Sequence, residues 1–141
     1  MGERIDQFCE NLRTKLTSID NNIQALKAKI DGKAQTGEQD VRRHLDGVKN
    51  RIEQDRAKVT AARADIKKWA DQQKASTSEK IAEWKTKREI AMLQSRADSA
   101  ERYAAAAAIV ASAALDEAEQ ASLEAWLARK DADSAQSMKA A

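Results

Sequence analysis

Apolar residues recur every three or four positions along most of the chain, which is the spacing of one face of an α-helix. In the first part of the chain the steps alternate between four and three residues. Steps of this kind average about 3.5 residues and predict a helix that packs along another helix. We predict this first helix over residues 3–31. Its inward-facing series is Ile5, Cys9, Leu12, Leu16, Ile19, Ile23, Leu26 and Ile30.

A second series with the same spacing predicts a helix over residues 37–73. Its members are Val41, Leu45, Val48, Ile52, Asp55, Val59, Ala62, Ile66 and Trp69. Between the two series, Gly32 and Gly37 bracket a polar stretch, and Thr36 followed by Gln39 fits a capping box. These signals favour a tight turn and an αα-hairpin over the alternative of one continuous helix.

Asp55 is the one charged residue in the second series. A buried polar group can fix the register or the number of partners in a helical assembly, so Asp55 is a candidate register-setting residue. In that role it needs a lysine or arginine from a neighbouring helix. The alternative is that the series is open to water at this position, and the sequence leaves both readings open.

The third series consists of alanine alone, and Ile90 and Leu93 lead into it. Only four of the other 27 residues between Ala97 and Ala135 are alanine, so the spacing is a pattern rather than mere richness. Small residues let two helix backbones approach closely, so we predict that this alanine seam pairs helices. The alanine seam comprises Ala97, Ala100, Ala104, Ala107, Ala111, Ala114, Ala118, Ala121, Ala125, Ala128, Ala132 and Ala135. Its predicted flanking apolar contacts are Leu115, Leu123, Trp126 and Leu127.

The third helix is predicted over residues 77–135. Ser76 followed by Glu79 fits a second capping box and favours a boundary within residues 74–78, although a helix continuous with the preceding one is the alternative. The 141-residue chain has no proline, 34% charged residues and 4% aromatic residues, a composition typical of long helices. We therefore predict an all-α protein, a single elongated domain over residues 1–141. Its architecture would be an extended antiparallel coiled coil or helical bundle of two to three long helices.

The charges are distributed unevenly. Residues 1–36 carry 6 basic and 5 acidic side chains, residues 37–90 carry 14 and 10, and residues 91–141 carry 5 and 8, which gives net charges of +1, +4 and −3. A basic middle and an acidic end favour side-by-side packing of these parts. Lysines near Trp84 could bind phosphates, but interleaved glutamates predict a solvated charged face instead. The pattern argues against nucleic-acid binding.

The chain offers few groups for catalysis or metal binding. His44 is the only histidine, and without clustered ligands we expect it to be a solvated surface side chain. Cys9 lies on the first series, so we expect a buried thiol, with a redox-sensitive link between two copies as the alternative. No catalytic, cofactor-binding or metal-binding residue is predicted, and no small-molecule substrate is expected. The chain is therefore predicted not to be an enzyme.

These features together predict a structural or scaffold protein that acts through helix–helix association. Its partners would be further copies of itself, a helical protein, or both. Met1–Glu10 contains charges and no apolar run, so we expect no signal peptide and a cytoplasmic location. In composition the chain is similar to the phasins of bacterial storage granules. That compositional similarity implies an alternative function, the coating of a lipid or granule surface by amphipathic helices.

Overall fold

The computed structural model describes residues 2–32 and 37–140, and every regular element within these ranges is an α-helix. The helices are α1 (Glu3–Asp31), α2 (Gly37–Ala75), α3 (Ser78–Thr86) and α4 (Ile90–Ala140). They pack against one another, and the described ranges contain no strand, so the predicted all-α helical bundle is confirmed. The predicted turn and its capping residue Thr36 fall on residues 33–36, which lie outside the described residues.

The inward face of α2 is the one that the sequence predicts. All nine members of its series, from Val41 to Trp69, are buried or partly buried. On α1 the prediction is wrong at two positions, because Cys9 and Leu16 are exposed while Phe8 and Lys15 are partly buried in their place.

The chain divides into two compact units. Unit 1 contains residues 1–12 and 56–112, and unit 2 contains residues 13–55 and 113–141. Each unit takes a segment from α1, from α2 and from α4, and unit 1 also contains α3. The two units differ in the side chains that they bury.

Unit 2 has a core of branched aliphatic side chains. Val41, Leu45 and Val48 of α2 pack with Leu123 and Leu127 of α4, and each is at most 6% exposed. Partly buried side chains from α1, α2 and α4 pack against them; these are Ile23, Leu26, Ile30, Ile52 and Trp126. A fully buried valine or leucine contributes roughly 1.5–3 kcal/mol, so the five buried side chains of this core stabilise unit 2 substantially.

Ion pairs at the edge of unit 2 show the relative directions of its helices. Lys130 of α4 lies 3.6 Å from Glu38 near the start of α2, and Glu124 lies 3.4 Å from Lys49 further along α2. Because the residue numbers run in opposite senses along the two helices, α2 and α4 are antiparallel. The Lys29–Asp40 pair, 3.3 Å long, likewise joins the end of α1 to the start of α2.

Unit 1 buries smaller side chains. Ala62 of α2 and Ala106 of α4 are each 2% exposed. Trp69 of α2 stacks on Tyr103 of α4, with ring centroids 5.4 Å apart and planes inclined by 13°. Alanine removes little apolar surface from water, whereas a stacked aromatic pair adds about 0.5–1.5 kcal/mol beyond the area that it buries, so this pair strengthens the packing of α2 on α4 in unit 1.

The predicted third helix is interrupted. A boundary lies at Ser76–Thr77, within residues 74–78, where Thr77 caps α3 by accepting a hydrogen bond from the Lys80 amide at 3.2 Å. The cap of this boundary is therefore Thr77 and not Ser76, which the capping box predicted.

A second break, which the sequence did not predict, separates Thr86 from Ile90. It is a left-handed C-terminal cap of α3. Arg88 has a φ of 52°, its amide donates to the Lys85 carbonyl at 3.3 Å, and the Glu89 amide donates to the Trp84 carbonyl at 2.9 Å. These two bonds form the Schellman motif, whose left-handed position is usually glycine. Because an arginine occupies that position, the sequence carries no signal of the break.

Replacing Arg88 by glycine is expected to raise the free energy of unfolding by up to roughly 1.5 kcal/mol. The left-handed conformation costs a non-glycine residue roughly 1–2 kcal/mol, and the greater freedom of glycine in the unfolded chain offsets roughly 0.5–1 kcal/mol of the gain. Urea denaturation followed by circular dichroism measures the change. The control is Lys85→Gly, in the right-handed last turn of α3, which should lower stability; equal effects of the two substitutions would contradict the assignment.

Candidate helix-association surface and buried ion cluster

The alanine seam does not line the core of unit 2. Its members there, Ala114, Ala118, Ala121, Ala125, Ala128, Ala132 and Ala135, are all exposed. The buried side of the same helix segment carries Asp116, Glu119, Leu123 and Leu127. Leucine removes more apolar surface from water than alanine does, so the leucine side of α4 packs inward and the alanine side remains outside.

In unit 1 the alanine seam is partly enclosed. Ala97 is exposed, and the next four members, Ala100, Ala104, Ala107 and Ala111, are partly buried. The most deeply buried alanine of α4 is Ala106, which is not a member of the seam. The seam therefore has two environments, and only its part in unit 2 is fully on the surface.

The residues predicted to flank the seam as partner contacts lie mostly inside the chain. Leu123 and Leu127 belong to the core of unit 2, and Trp126 packs against that core. Leu115 is partly buried. A helix docking from outside would not reach the two buried leucines, so their predicted contact with a partner is replaced by contact within the chain.

Two acidic side chains of α4 are buried in unit 2. Asp116 and Glu119 are each 1% exposed, and they lie two turns and one turn before Leu123 on the same side of the helix. Each of their four carboxylate oxygens has a cationic or ring-nitrogen partner. We call Asp116, Glu119 and their three partners, Lys15, His44 and Arg51, the ion cluster.

Three helices supply the ion cluster. Lys15 of α1 reaches one oxygen of Asp116 at 2.8 Å, and Arg51 of α2 donates to the other at 3.1 Å through Nε. Arg51 also donates through Nη2 to Glu119 at 2.9 Å, and Nε2 of His44 lies 2.9 Å from the second Glu119 oxygen. One guanidinium thus bridges both carboxylates, a geometry that lysine could not provide.

The cluster places its acids inside and its cations at the rim. The side chains of Lys15, His44 and Arg51 are 23%, 25% and 44% exposed, whereas those of Asp116 and Glu119 are almost fully covered. The expectation that His44 is a solvated surface residue is wrong, because the ring is partly buried and paired with Glu119.

Sequence reasoning missed these acids because they lie in a run of alanine and acidic residues that is typical of a solvated helix. One signal was present: Asp116, Glu119, Leu123 and Leu127 follow one another in steps of three and four residues. The cationic partners come from distant parts of the chain and could not be assigned from spacing. Asp55, the predicted register-setting residue, is only partly buried, and its role stays a prediction.

At the edge of unit 2, Glu38 of α2 has one cationic neighbour on its own helix and one on α4. Glu38 accepts a hydrogen bond from Arg42 at 3.0 Å and lies near Lys130 of α4. The hydrogen bond from Arg42 holds the pKa of Glu38 below its usual value of 4.5, and the charge of Lys130 lowers it further. Because the pKa of Glu38 is lowered in the folded state, these contacts stabilise the fold at pH values above 4.5. The stabilisation is lost as the pH falls and the carboxylate becomes protonated.

Within residues 2–32 and 37–140, no group of three or more His, Cys, Asp or Glu side chains is arranged to hold a metal ion. The helices in the same ranges are also too short or too polar for any of them to cross a membrane. No protein-family model matches the chain, and searches of curated proteins and of solved structures find no match either.

Proposed function

We propose that this chain is a non-enzymatic structural protein of the cytoplasm that assembles through the exposed alanine seam of α4 in unit 2. The observation that supports the proposal is the direction of the seam. Alanine occupies each heptad position from Ala114 to Ala135, yet the bundle core is built from the opposite side of the helix. Packing within unit 2 does not require this repeat, whereas the close approach of a second helix does require small residues along its whole length.

Alanine suits such a surface because it adds little bulk between two helices. Backbones can approach closely along a stripe of small residues, and an alanine loses no side-chain rotamer freedom when it is covered. Each contact is weak, so the stripe has to be long. At about 1.5 Å per residue, the seam from Ala114 to Ala135 extends over roughly 30 Å.

Charges beside the seam favour a second copy in parallel orientation. Glu124 precedes one seam position and Arg129 follows another, five residues further on. In a parallel pair, residues with this spacing face each other across the two helices, so Glu124, which also lies 3.4 Å from Lys49 within the chain, can pair with Arg129 of a second copy. An antiparallel pair would instead bring the acidic flank of each copy, Glu117, Glu124 and Asp131, together.

Coating of a lipid or granule surface has less support. An amphipathic helix that binds an interface presents a broad apolar face outward. Here Leu123 and Leu127 face the core of unit 2, and the exposed side of α4 offers alanine between charged residues. Phospholipid vesicles are therefore expected to leave the protein in solution.

The assembly proposal is tested by molar mass from light scattering behind size exclusion, over a hundredfold range of concentration. We expect a mass above that of the monomer, and Ala121→Lys should shift the protein to monomer because a buried unpaired charge is costly. Lysine is a good helix former, so the variant should keep its helical circular dichroism. Ala28→Lys, at an exposed alanine of α1 in the same unit, is the control and should not change the mass. A wild-type monomer at all concentrations would reject assembly between copies.

A further inference from the structure

We infer that the ion cluster is a register lock, which fixes how far α4 lies along α1 and α2 in unit 2. This inference does not depend on the proposed assembly, because it concerns packing within one chain. Its basis is the placement of Asp116 and Glu119, which are nearly fully buried and meet all their cationic partners in only one alignment of the three helices.

Helices with a heptad pattern need additional contacts to specify one alignment along their neighbours. Sliding one helix by seven residues returns a similar face to its neighbours, so an apolar pattern alone discriminates weakly between the two alignments. On α4 such a slip would bring Asp116 to the position that Leu123 now occupies. The carboxylate would then lie among Val41, Leu45 and Val48, without a cation, and an unpaired buried charge is strongly disfavoured.

A slip in the opposite sense is also penalised. Leu123 would replace Asp116, so Lys15 and Arg51 would lose the carboxylates that they now bind. Lys130 would move to the place of Leu123 in the aliphatic core. Both alternative alignments therefore separate buried charges from their partners, and only the observed one satisfies every oxygen.

The cluster contributes more to specificity than to stability. Buried ion pairs lose much of their mutual attraction to the cost of removing both charges from water, and apolar replacement of the whole set is often neutral or stabilising. Removal of the charges should therefore leave a stable bundle in which α4 can occupy more than one alignment. A cluster that merely stabilises the fold would show the opposite behaviour.

The test measures a distance along the bundle by double electron–electron resonance. Spin labels are placed in unit 2 at Asp20→Cys on α1 and Ser134→Cys on α4, both exposed positions, in a Cys9→Ser background. Dilution with excess unlabelled protein removes distances between copies. A slip of seven residues moves α4 by about 10 Å, so it changes the distance by roughly that amount.

The apolar variant combines Lys15→Met, Arg51→Met, Asp116→Leu and Glu119→Met. We expect an unfolding midpoint in urea at least as high as that of the wild type, together with a second distance displaced by about 10 Å in roughly a tenth or more of the molecules. The wild type should give one distance. One narrow distance in the apolar variant, equal to that of the wild type, would overturn the register lock.

Two further variants keep the test decisive. If the apolar variant does not fold, Asp116→Asn with Glu119→Gln retains the shapes while removing the negative charges, and it should also show the displaced distance. Asp55→Leu is the matched control, because Asp55 is a partly buried acid of α2 in unit 2 that lies outside the cluster. A displaced distance in Asp55→Leu, with a single distance in both cluster variants, would transfer the register role to Asp55 and reject the inference.

Discussion

Replacing Arg51 by methionine is expected to lower the free energy of unfolding by about 2–3 kcal/mol, because each carboxylate loses one charged donor and keeps a second partner. The substitution keeps an unbranched apolar stem but removes the guanidinium that bridges Asp116 and Glu119. Both carboxylates are 1% exposed, so water cannot replace the lost hydrogen bonds without opening the bundle. Urea denaturation followed by helical circular dichroism measures the loss.

The control for this prediction is Arg43→Met on the same helix. Arg43 pairs with Asp40 at 3.3 Å, but its side chain is 77% exposed, and exposed pairs contribute roughly 0–1 kcal/mol. The two substitutions are chemically identical, so the difference in stability isolates burial. Similar losses in the two variants would show that the carboxylates of the ion cluster are accessible to water.

Glu119→Gln should cost less than Arg51→Met. Its partners Arg51 and His44 lie at the rim and can turn to water, whereas the acids cannot. Removing the cation of Arg51 should therefore lower the free energy of unfolding more than neutralising Glu119 does. Replacing the whole set together should lower it least, because no buried charge is then left unpaired. This order of effects follows from the placement of the acids inside and the cations outside.

Replacing Leu123 by alanine is expected to lower the free energy of unfolding by about 2–5 kcal/mol. Leu123 is 4% exposed and packs in the core with Val41, Leu45 and Val48. Its truncation removes apolar contacts and leaves a cavity that the surrounding helices fill only in part. Urea denaturation measures the change, and the slope of the transition indicates whether the surface exposed on unfolding is conserved.

Leu16→Ala is the matched control for the core prediction. The first heptad series places Leu16 on the inner side of α1, but its side chain is 54% exposed. Truncation of an exposed leucine changes stability by roughly 0.5 kcal/mol or less. The opposite ranking, with Leu16 more costly than Leu123, would mean that the strict heptad series rather than the observed packing describes the bundle.

The helices themselves follow from the sequence. Apolar steps of three and four residues, the absence of proline and the glycines near residue 32 are local signals, and they predict where α1 and α2 occur. The series from Val41 to Trp69 also predicts the buried face of α2, because that helix has a single apolar side. Local signals do not predict the break at Arg88, because arginine usually avoids the left-handed conformation that it adopts there.

The orientation of α4 was decided only by the tertiary structure. Its sequence offers two candidate faces: the alanine seam at a regular heptad spacing, and the side that carries Asp116, Glu119, Leu123 and Leu127. Periodicity favours the first, since the second mixes acids with leucines. Burial of Leu123 and Leu127 against α2, and pairing of the acids with Lys15, His44 and Arg51, select the second.

The sequence by itself thus determined that the chain is helical, that α2 has one buried face, and that α4 carries an unbroken alanine repeat. The tertiary structure decided that in unit 2 this repeat faces outward and that two carboxylates face inward. The physical reason is that helix formation depends on neighbours three and four residues away. The cost of burying a charge depends instead on partners 65 to 101 residues distant, which only the folded chain brings together.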